Sequence, residues 1–317
     1  MYRYIIRRLA QLVPALLLIT FMVFGLMHAI PGDPARMMLG AGEALDETQL
    51  AAVRREYNLD RPMPVQYVLW LARAAQGDLG RSSVNQRRVG EELALRAVVT
   101  FQLGLVAWLI SAIISIPAGI ISARYRGRPI DWAVTLLAVG GVALPGFWLG
   151  IMMILLFSVT LGWLPTQGYV PLANGVTEWL RHLVLPAFAL GITSAALVMR
   201  QMRSAVLEVL ALDYIRTARA KGLGERAIIL GHAVRNAMLP VVTVMGLEVG
   251  RIFAGAVVIE TLFGIPGMGR LMVQAVFQRD FMVVQGCVLV MATAVLMVNF
   301  ITDMMYGVLD PRIRYDG

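Results

Sequence analysis

The residues of this 317-residue chain offer little to a catalytic reading. Its single lysine, Lys221, stands between Ala220 and Gly222, so the Gly-Lys-Ser/Thr run with which a P-loop grips terminal phosphates is absent. HExxH is absent as well. Cys287 is the only cysteine, and His28, His182 and His232 lie far apart, which leaves neither a disulfide framework nor metal-ligand spacing. No catalytic, cofactor or metal residue is nominated. What stands out is charge inside apolar runs: Glu248, Arg251, Glu260 and Asp303. Each costs ~2.5–3.5 kcal/mol at the centre of a membrane helix, so each needs a reason to be there. Glu248 and Arg251 are three residues apart and share a helix face. Two readings stand side by side. The pair neutralises its own cost inside a bundle, or Glu248, Arg251 and Glu260 form a polar stripe along a pathway, able to meet the two ends of a zwitterion. Asp303 shares a face with Asn299 and reads as a structural hydrogen bond.

The elements carrying these charges must lie in lipid. The chain is 58% hydrophobic and 15% charged, with mean hydropathy +0.71. Soluble domains run at roughly 45–50% apolar and about 25% charged. A soluble globule and a disordered chain are both excluded. Apolar runs of about 20 residues cross the ~30 Å hydrocarbon core, and six are present: Leu9–Ile30, Ala97–Ala123, Trp132–Leu161, Leu183–Met199, Leu239–Phe263 and Phe281–Leu309. The fourth is short, and its helix is expected to start near Pro186. The first is longer than a signal-peptide core of about 7–15 residues and reads as an uncleaved span.

Basic residues set the orientation. Arg3, Arg7 and Arg8, then Arg124, Arg126 and Arg128, then the segment 200–238, then Arg312 and Arg314 fall in alternate connections. Those connections together hold 15 basic against six acidic residues, whereas residues 31–96 hold nine arginines and nine acidic residues. Both termini are therefore expected in the cytoplasm. The net charge of +8 is a topology signal, and it leaves a nucleic-acid partner without support.

The organisation that follows is a cytoplasmic N-terminus over 1–8, a first span over 9–30, an external lobe over 31–96, and a core over 97–317 with a cytoplasmic segment at 206–238. In the lobe, Asp46 and Gln49 form a capping-box pattern opening a helix through Arg55. Pro64 starts a second helix, with Val65, Val68, Leu69 and Ala72 on one face and Gly77 as its stop. The lobe either docks another protein or only packs on the helix ends. In the cytoplasmic segment, Asp213 is expected to cap a helix over Tyr214–Lys221 that Gly222 ends in the left-handed conformation, with Leu223 and Gly224 continuing the turn. A second short helix, Glu225 to Asn236, leads to Leu239–Pro240. Helices this short are marginal in water, so this basic hairpin needs a partner, either anionic headgroups or a soluble subunit. Pro117, Gly119, Gly140, Gly141, Pro145, Gly146 and Gly150 inside the spans suit close packing and bends.

Several stretches together resemble a known family. Asp213-Tyr214-Ile215-Arg216-Thr217-Ala218-Arg219-Ala220-Lys221-Gly222, followed by Arg235-Asn236-Ala237-Met238-Leu239-Pro240, resembles the coupling-loop signature of ABC-importer permeases, in the version of dipeptide and oligopeptide (glutathione and nickel) transporters of the first-permease type. Pro31-Gly32-Asp33-Pro34, Gly77-Asp78-Leu79-Gly80-Arg81-Ser82, Gly162-Trp163-Leu164-Pro165-Thr166, Phe263-Gly264-Ile265-Pro266-Gly267-Met268-Gly269 and the terminal Asp310-Pro311-Arg312-Ile313-Arg314-Tyr315 agree, with Asn299, Asp303 and Tyr306 before the last. The general signature has Glu-Ala-Ala where this chain has Arg216, Thr217 and Ala218, and the distance from Gly222 to Leu239-Pro240 is longer than usual. Both departures are shared by the peptide-importer subgroup.

The resemblance implies an all-α, six-helix permease of the type I ABC importer kind, with a helical external lobe between its first two spans, in the bacterial inner membrane. It implies a second, related permease, two cytoplasmic ATPases that bind ATP and Mg, and an external substrate-binding protein, with the solute a dipeptide or short oligopeptide. Relatives of that family also carry glutathione, nickel chelates or sugars. It places Asp213 to Gly224 in a cleft of one ATPase. Two rival classes remain: an ion-coupled secondary transporter using Glu248, Glu260 or Asp303, and a membrane scaffold that only docks other proteins.

Overall fold

The computed structural model describes residues 2–29, 35–36, 47–56 and 58–309. The capping-box residue Asp46, the motif at 31–34 and the tail from 310 onward lie outside the described residues, as do the side chains of Gln49 and Tyr306. The long elements of the described chain are all helices: α1 (Tyr2–Ala29), α2 (Glu47–Glu56), α3 (Met63–Ala75), α4 (Val89–Arg124), α5 (Pro129–Ala143), α6 (Gly146–Thr160), α7 (Val176–Leu210), α8 (Asp213–Ala220), α9 (Glu225–Leu262), α10 (Met268–Gln278) and α11 (Phe281–Leu309). The end of α6 and the segment Ile228–Ala233 of α9 are wound as π-helix.

Helices α1, α4, α7, α9 and α11 are each long and apolar enough to cross a bilayer. The third apolar run is not one straight span. It is α5 and α6, bent by 104° across Leu144 and Pro145. Proline lacks the N–H that would continue the ladder and pushes the residue before it out of the helical region. Leu144 accordingly sits at φ −85°, ψ 131°. At ~1.5 Å per residue each half is about 22 Å long, short of the ~30 Å core.

Proline has the opposite outcome in the fourth run. The helix starts at Val176, after Gly175 at φ +121°, and passes through Pro186 to Leu210. Pro186 is an interior residue, not a first-turn one, because a single lost backbone bond does not end a helix whose apolar flanks keep packing on both sides. The fifth run also differs from expectation. The second short helix after Gly222 is not separate: it continues through Pro240 into α9.

Two compact units divide the chain. The first comprises Thr100–Ile265 and the chain from Met297 on. In it α7 packs against α5, α6 and α9. Buried Val198, Met202, Ala205 and Val206 of α7 meet Ala237, Val241 and Met245 of α9. The approach of α7 to α4 depends on Gly191, where an added Cβ would stand 2.5 Å from the Ala107 carbonyl oxygen. Small residues at helix contacts allow this closeness.

The second unit comprises Tyr2–Val99 and Pro266–Leu296. Here α3 packs on α1 through an aromatic cluster of Phe24, Tyr67 and Trp70. Tyr67 donates its hydroxyl to the Leu17 carbonyl at 3.0 Å and lies 2.8 Å from the Thr20 hydroxyl. The face predicted for α3 is corrected: Val65 and Val68 are exposed, and Gln66, Tyr67 and Trp70 are buried. The aromatic rings bury more apolar area, and the phenol supplies a polar partner within the apolar α1. A second cluster joins Val89 and Leu93 of α4 to Met268, Leu271, Phe281 and Cys287. Ser82 donates to the Asp280 carboxylate, which also accepts from the Val283 N–H and so caps α11.

Candidate functional site: an elbow after α7 and a cleft beside α9

The elbow grows out of backbone requirements. Leu212, extended at φ −75°, ψ 149°, is the N-cap of α8. Asp213 is its first helical residue rather than its cap, and its carboxylate meets Arg216 at 3.3 Å in an exposed pair. At the other end, Gly222 sits at φ +81°. Its N–H reaches the Arg219 carbonyl at 2.9 Å and the Leu223 N–H reaches the Ala218 carbonyl at 3.3 Å. Those two bonds around a left-handed residue form a Schellman motif, which satisfies the carbonyls left over at the end of α8. An added Cβ on Gly222 would meet nothing within 4 Å, so conformation, not space, demands glycine. Gly224 is extended at φ −65° and carries no such demand.

Side chains then lock the turn. Arg219 donates to Glu225 from Nε at 2.7 Å and from Nη2 at 3.4 Å, and that bond raises the guanidinium further above the usual arginine range. Asn236 donates to the Tyr214 hydroxyl at 2.7 Å. Ile215 and Ala218 pack on Ile228, with Leu210 behind them. The opposite face is open: Arg216, Thr217, Ala220 and Lys221 are exposed, as are the apolar Leu223 and Leu230. The short helix is thus held on one face and presents cations beside apolar side chains on the other.

Near the end of α7, Arg203 grips Asp131 at the start of α5 from Nε at 2.8 Å and Nη2 at 2.9 Å. The same carboxylate accepts from the Ser122 hydroxyl and from the Gly127 N–H. The turn between α4 and α5 is thereby tied to α7. Elsewhere in this unit the connection between α6 and α7 is pinned at two places. The Gly168 N–H reaches the Phe263 carbonyl at 2.8 Å, and the Gln102 amide oxygen accepts both the Tyr169 hydroxyl at 2.7 Å and the Trp179 Nε1–H at 3.0 Å.

The charges of α9 separate into two environments. Glu248 and Arg251 meet at 3.0 Å beside a cleft of about 270 Å³ between α6, α7 and α9. Ser194 of α7 donates to the other Glu248 oxygen at 2.6 Å. Glu260 does not join them: it is fully buried and accepts from Thr100 at 2.6 Å, and it does not line the cleft. Thr193, Ser194 and Phe147 belong to the cleft and were not singled out from the sequence, whereas Gly146 stood among the span glycines. The hydroxyls at 193 and 194, adjacent within an apolar run, were the available signal.

Among the described residues, five long apolar helices, a broken sixth and a basic elbow between two of them define a polytopic α-helical membrane protein. Residues 115–315 match the profile of the binding-protein-dependent transport system inner membrane component, and residues 1–103 match the profile of the N-terminal part of such components. The chain belongs to this family of permeases. A putative peptide transport system permease of Brucella abortus (strain 2308) is 42% identical over 312 residues, covering 98% of this chain and 99% of that one. The glutathione transport system permease protein GsiC of Pectobacterium atrosepticum is 42% identical over 315 residues, covering 99% and 100%. The di/tripeptide transport system permease protein DppB of Pseudomonas aeruginosa is 39% identical over 335 residues, covering 99% of each. Among solved structures, an amino acid ABC transporter with histidines superposes with a TM-score of 0.50 at 15% identity, covering 70% of this chain and 94% of that one, a likeness of fold.

Proposed function

We propose that this chain is one of two permease subunits of an ATP-driven importer of dipeptides or short oligopeptides, and that Asp213 to Gly224 is its handle for an ATPase. The partners are a second, homologous permease, two ATPase chains that bind ATP and Mg, and a substrate-binding protein on the outer side. The excess of arginines in alternate connections supports a cytoplasmic position for both termini and the elbow. The peptide solute is supported by the names of the relatives, which are peptide, di/tripeptide and glutathione transport system permeases.

The observation that carries the reading is the elbow itself. An eight-residue helix has no independent stability in water, yet this one is stapled by a Schellman turn, the Arg219–Glu225 fork and the Ile215–Ala218–Ile228 contact. It leads directly into α9, the helix that carries Glu248 and Arg251. A push on the exposed face is therefore delivered to the cleft through one continuous element. The test is co-purification followed by transport. The chain should bring down separate ATPase chains, and uptake should vanish when those ATPases are inactivated. Uptake by this chain alone under a proton gradient would instead support a secondary transporter.

A further inference from the structure

We propose that the cleft beside α9 is a carboxylate site, in which Arg251 meets the anion and Glu248 is the positioning residue that aims it. The proposal deepens the import reading and rests on it only for the identity of the solute. The two ion pairs of the first unit make the case by contrast. Asp131–Arg203 is closed: the carboxylate is buried, the guanidinium contacts it through two nitrogens, and Ser122 and Gly127 fill the remaining lone pairs. Glu248–Arg251 is closed on one side only. The Glu248 side chain is 7% exposed and both its oxygens are used, by Ser194 and by Arg251. The Arg251 side chain is 67% exposed, and among the described residues its guanidinium makes one hydrogen bond, through Nη1. The unspent donors form the planar fork that matches a carboxylate.

Position and surroundings fit the same ligand. Arg251 lies halfway along Leu239–Phe263, where an exposed charge is most costly unless something polar meets it. Phe147, Leu190, Ile252, Val258 and Ile259 give the cleft apolar walls, which strengthen any charge pairing within it. Gly146 and Phe147 bring the first turn of α6, whose end carries partial positive charge, to the same cleft. With about 270 Å³ against ~300–1,000 Å³ for sites that enclose a whole small ligand, it holds one end of a peptide. The amine end is left to other groups, since the Glu248 carboxylate is buried and each of its oxygens already accepts one bond.

The experiment is equilibrium binding of alanyl-alanine and of alanyl-alaninamide to the full-length chain with its partner permease in lipid nanodiscs, binding protein omitted. The wild type is expected to prefer the free acid by about tenfold or more, and Arg251→Lys to keep part of that preference. The double variant E248Q/R251Q, which leaves the net charge of the pair at zero and so avoids stranding a buried carboxylate, is expected to lose it. Equal binding of acid and amide by the wild type, no binding of the acid at millimolar concentration, or an undiminished preference in the double variant each overturns the site. Failure of the import reading shows elsewhere: an assembled transporter that binds the acid but moves no peptide with ATP sinks that reading and leaves the carboxylate site standing.

Discussion

Arg203 and Asp131, 72 residues apart, are joined by two parallel N–H to oxygen bonds that hold the turn after α4 against α7, close to where the elbow begins. Removing one partner of such a pair leaves the other charge uncompensated, which costs about 3–5 kcal/mol when both are fully buried. The Arg203 side chain is 32% exposed, so the lower end applies, about 3 kcal/mol or less. Arg203→Ala is expected to lower the thermal midpoint of the purified permease, and Arg203→Lys, which keeps the charge but loses the fork, to fall between.

The Gln102 amide is the common acceptor of Tyr169 and Trp179, and burial pushes the Tyr169 phenol above its ordinary value, offset in part by the nearby Trp179 indole N–H. Because the folded value is the higher one, this contribution is full below the unfolded value of about 10 and is lost only as pH rises through the folded value. An ultraviolet absorbance titration should show Tyr169, compared with a Tyr169→Phe control, ionising later than exposed tyrosines. Gln102→Leu leaves two half-buried donors without their acceptor, at a cost toward the low end of the range for buried ones, about 1 kcal/mol or less, and should speed amide hydrogen exchange across 162–175.

Gly191 and Gly140 provide a matched pair. A Cβ at Gly191 would press on the Ala107 backbone, whereas one at Gly140 would meet nothing within 4 Å. Gly191→Ala is expected to destabilise by about 1–3 kcal/mol, the range for forced overpacking. Gly140→Ala should be neutral or slightly stabilising. Thermal midpoints in detergent check both.

The comparison of two prolines shows where the sequence was legible and where it was not. Six apolar runs are plain in the chain because only lipid can receive them, and the glycine at 222 announces a left-handed turn because few other residues reach φ +81° cheaply. Pro145 and Pro186 look alike in one dimension. Pro145 stands between Gly140-Gly141 and Gly146, and the helix breaks there by 104°. Pro186 has Leu183 to Leu185 before it and Ala187 after it, all but Val184 buried, and packing carries the helix through. The aromatic face of α3 was hidden for a related reason: helical spacing allowed either stripe, and the choice rested on α1 supplying Thr20 and Phe24 as neighbours. Ser194–Glu248 and Asp131–Arg203 join residues 54 and 72 positions apart, a relationship no local pattern encodes.

The elbow gives the sharpest test. Gly222→Val forces a β-branched residue into the left-handed region, where even an ordinary residue costs about 1–2 kcal/mol. Gly222→Asn, which tolerates that region, serves as the control, since the space around the position is open. The decisive measurement is peptide imported per ATP hydrolysed by the reconstituted transporter. The account predicts that Gly222→Val continues to hydrolyse ATP while uptake per ATP falls about tenfold or more, and that Gly222→Asn stays near wild type. Normal uptake per ATP in Gly222→Val, with the variant folded and assembled, would contradict the claim that this turn transmits ATPase closure to the spans.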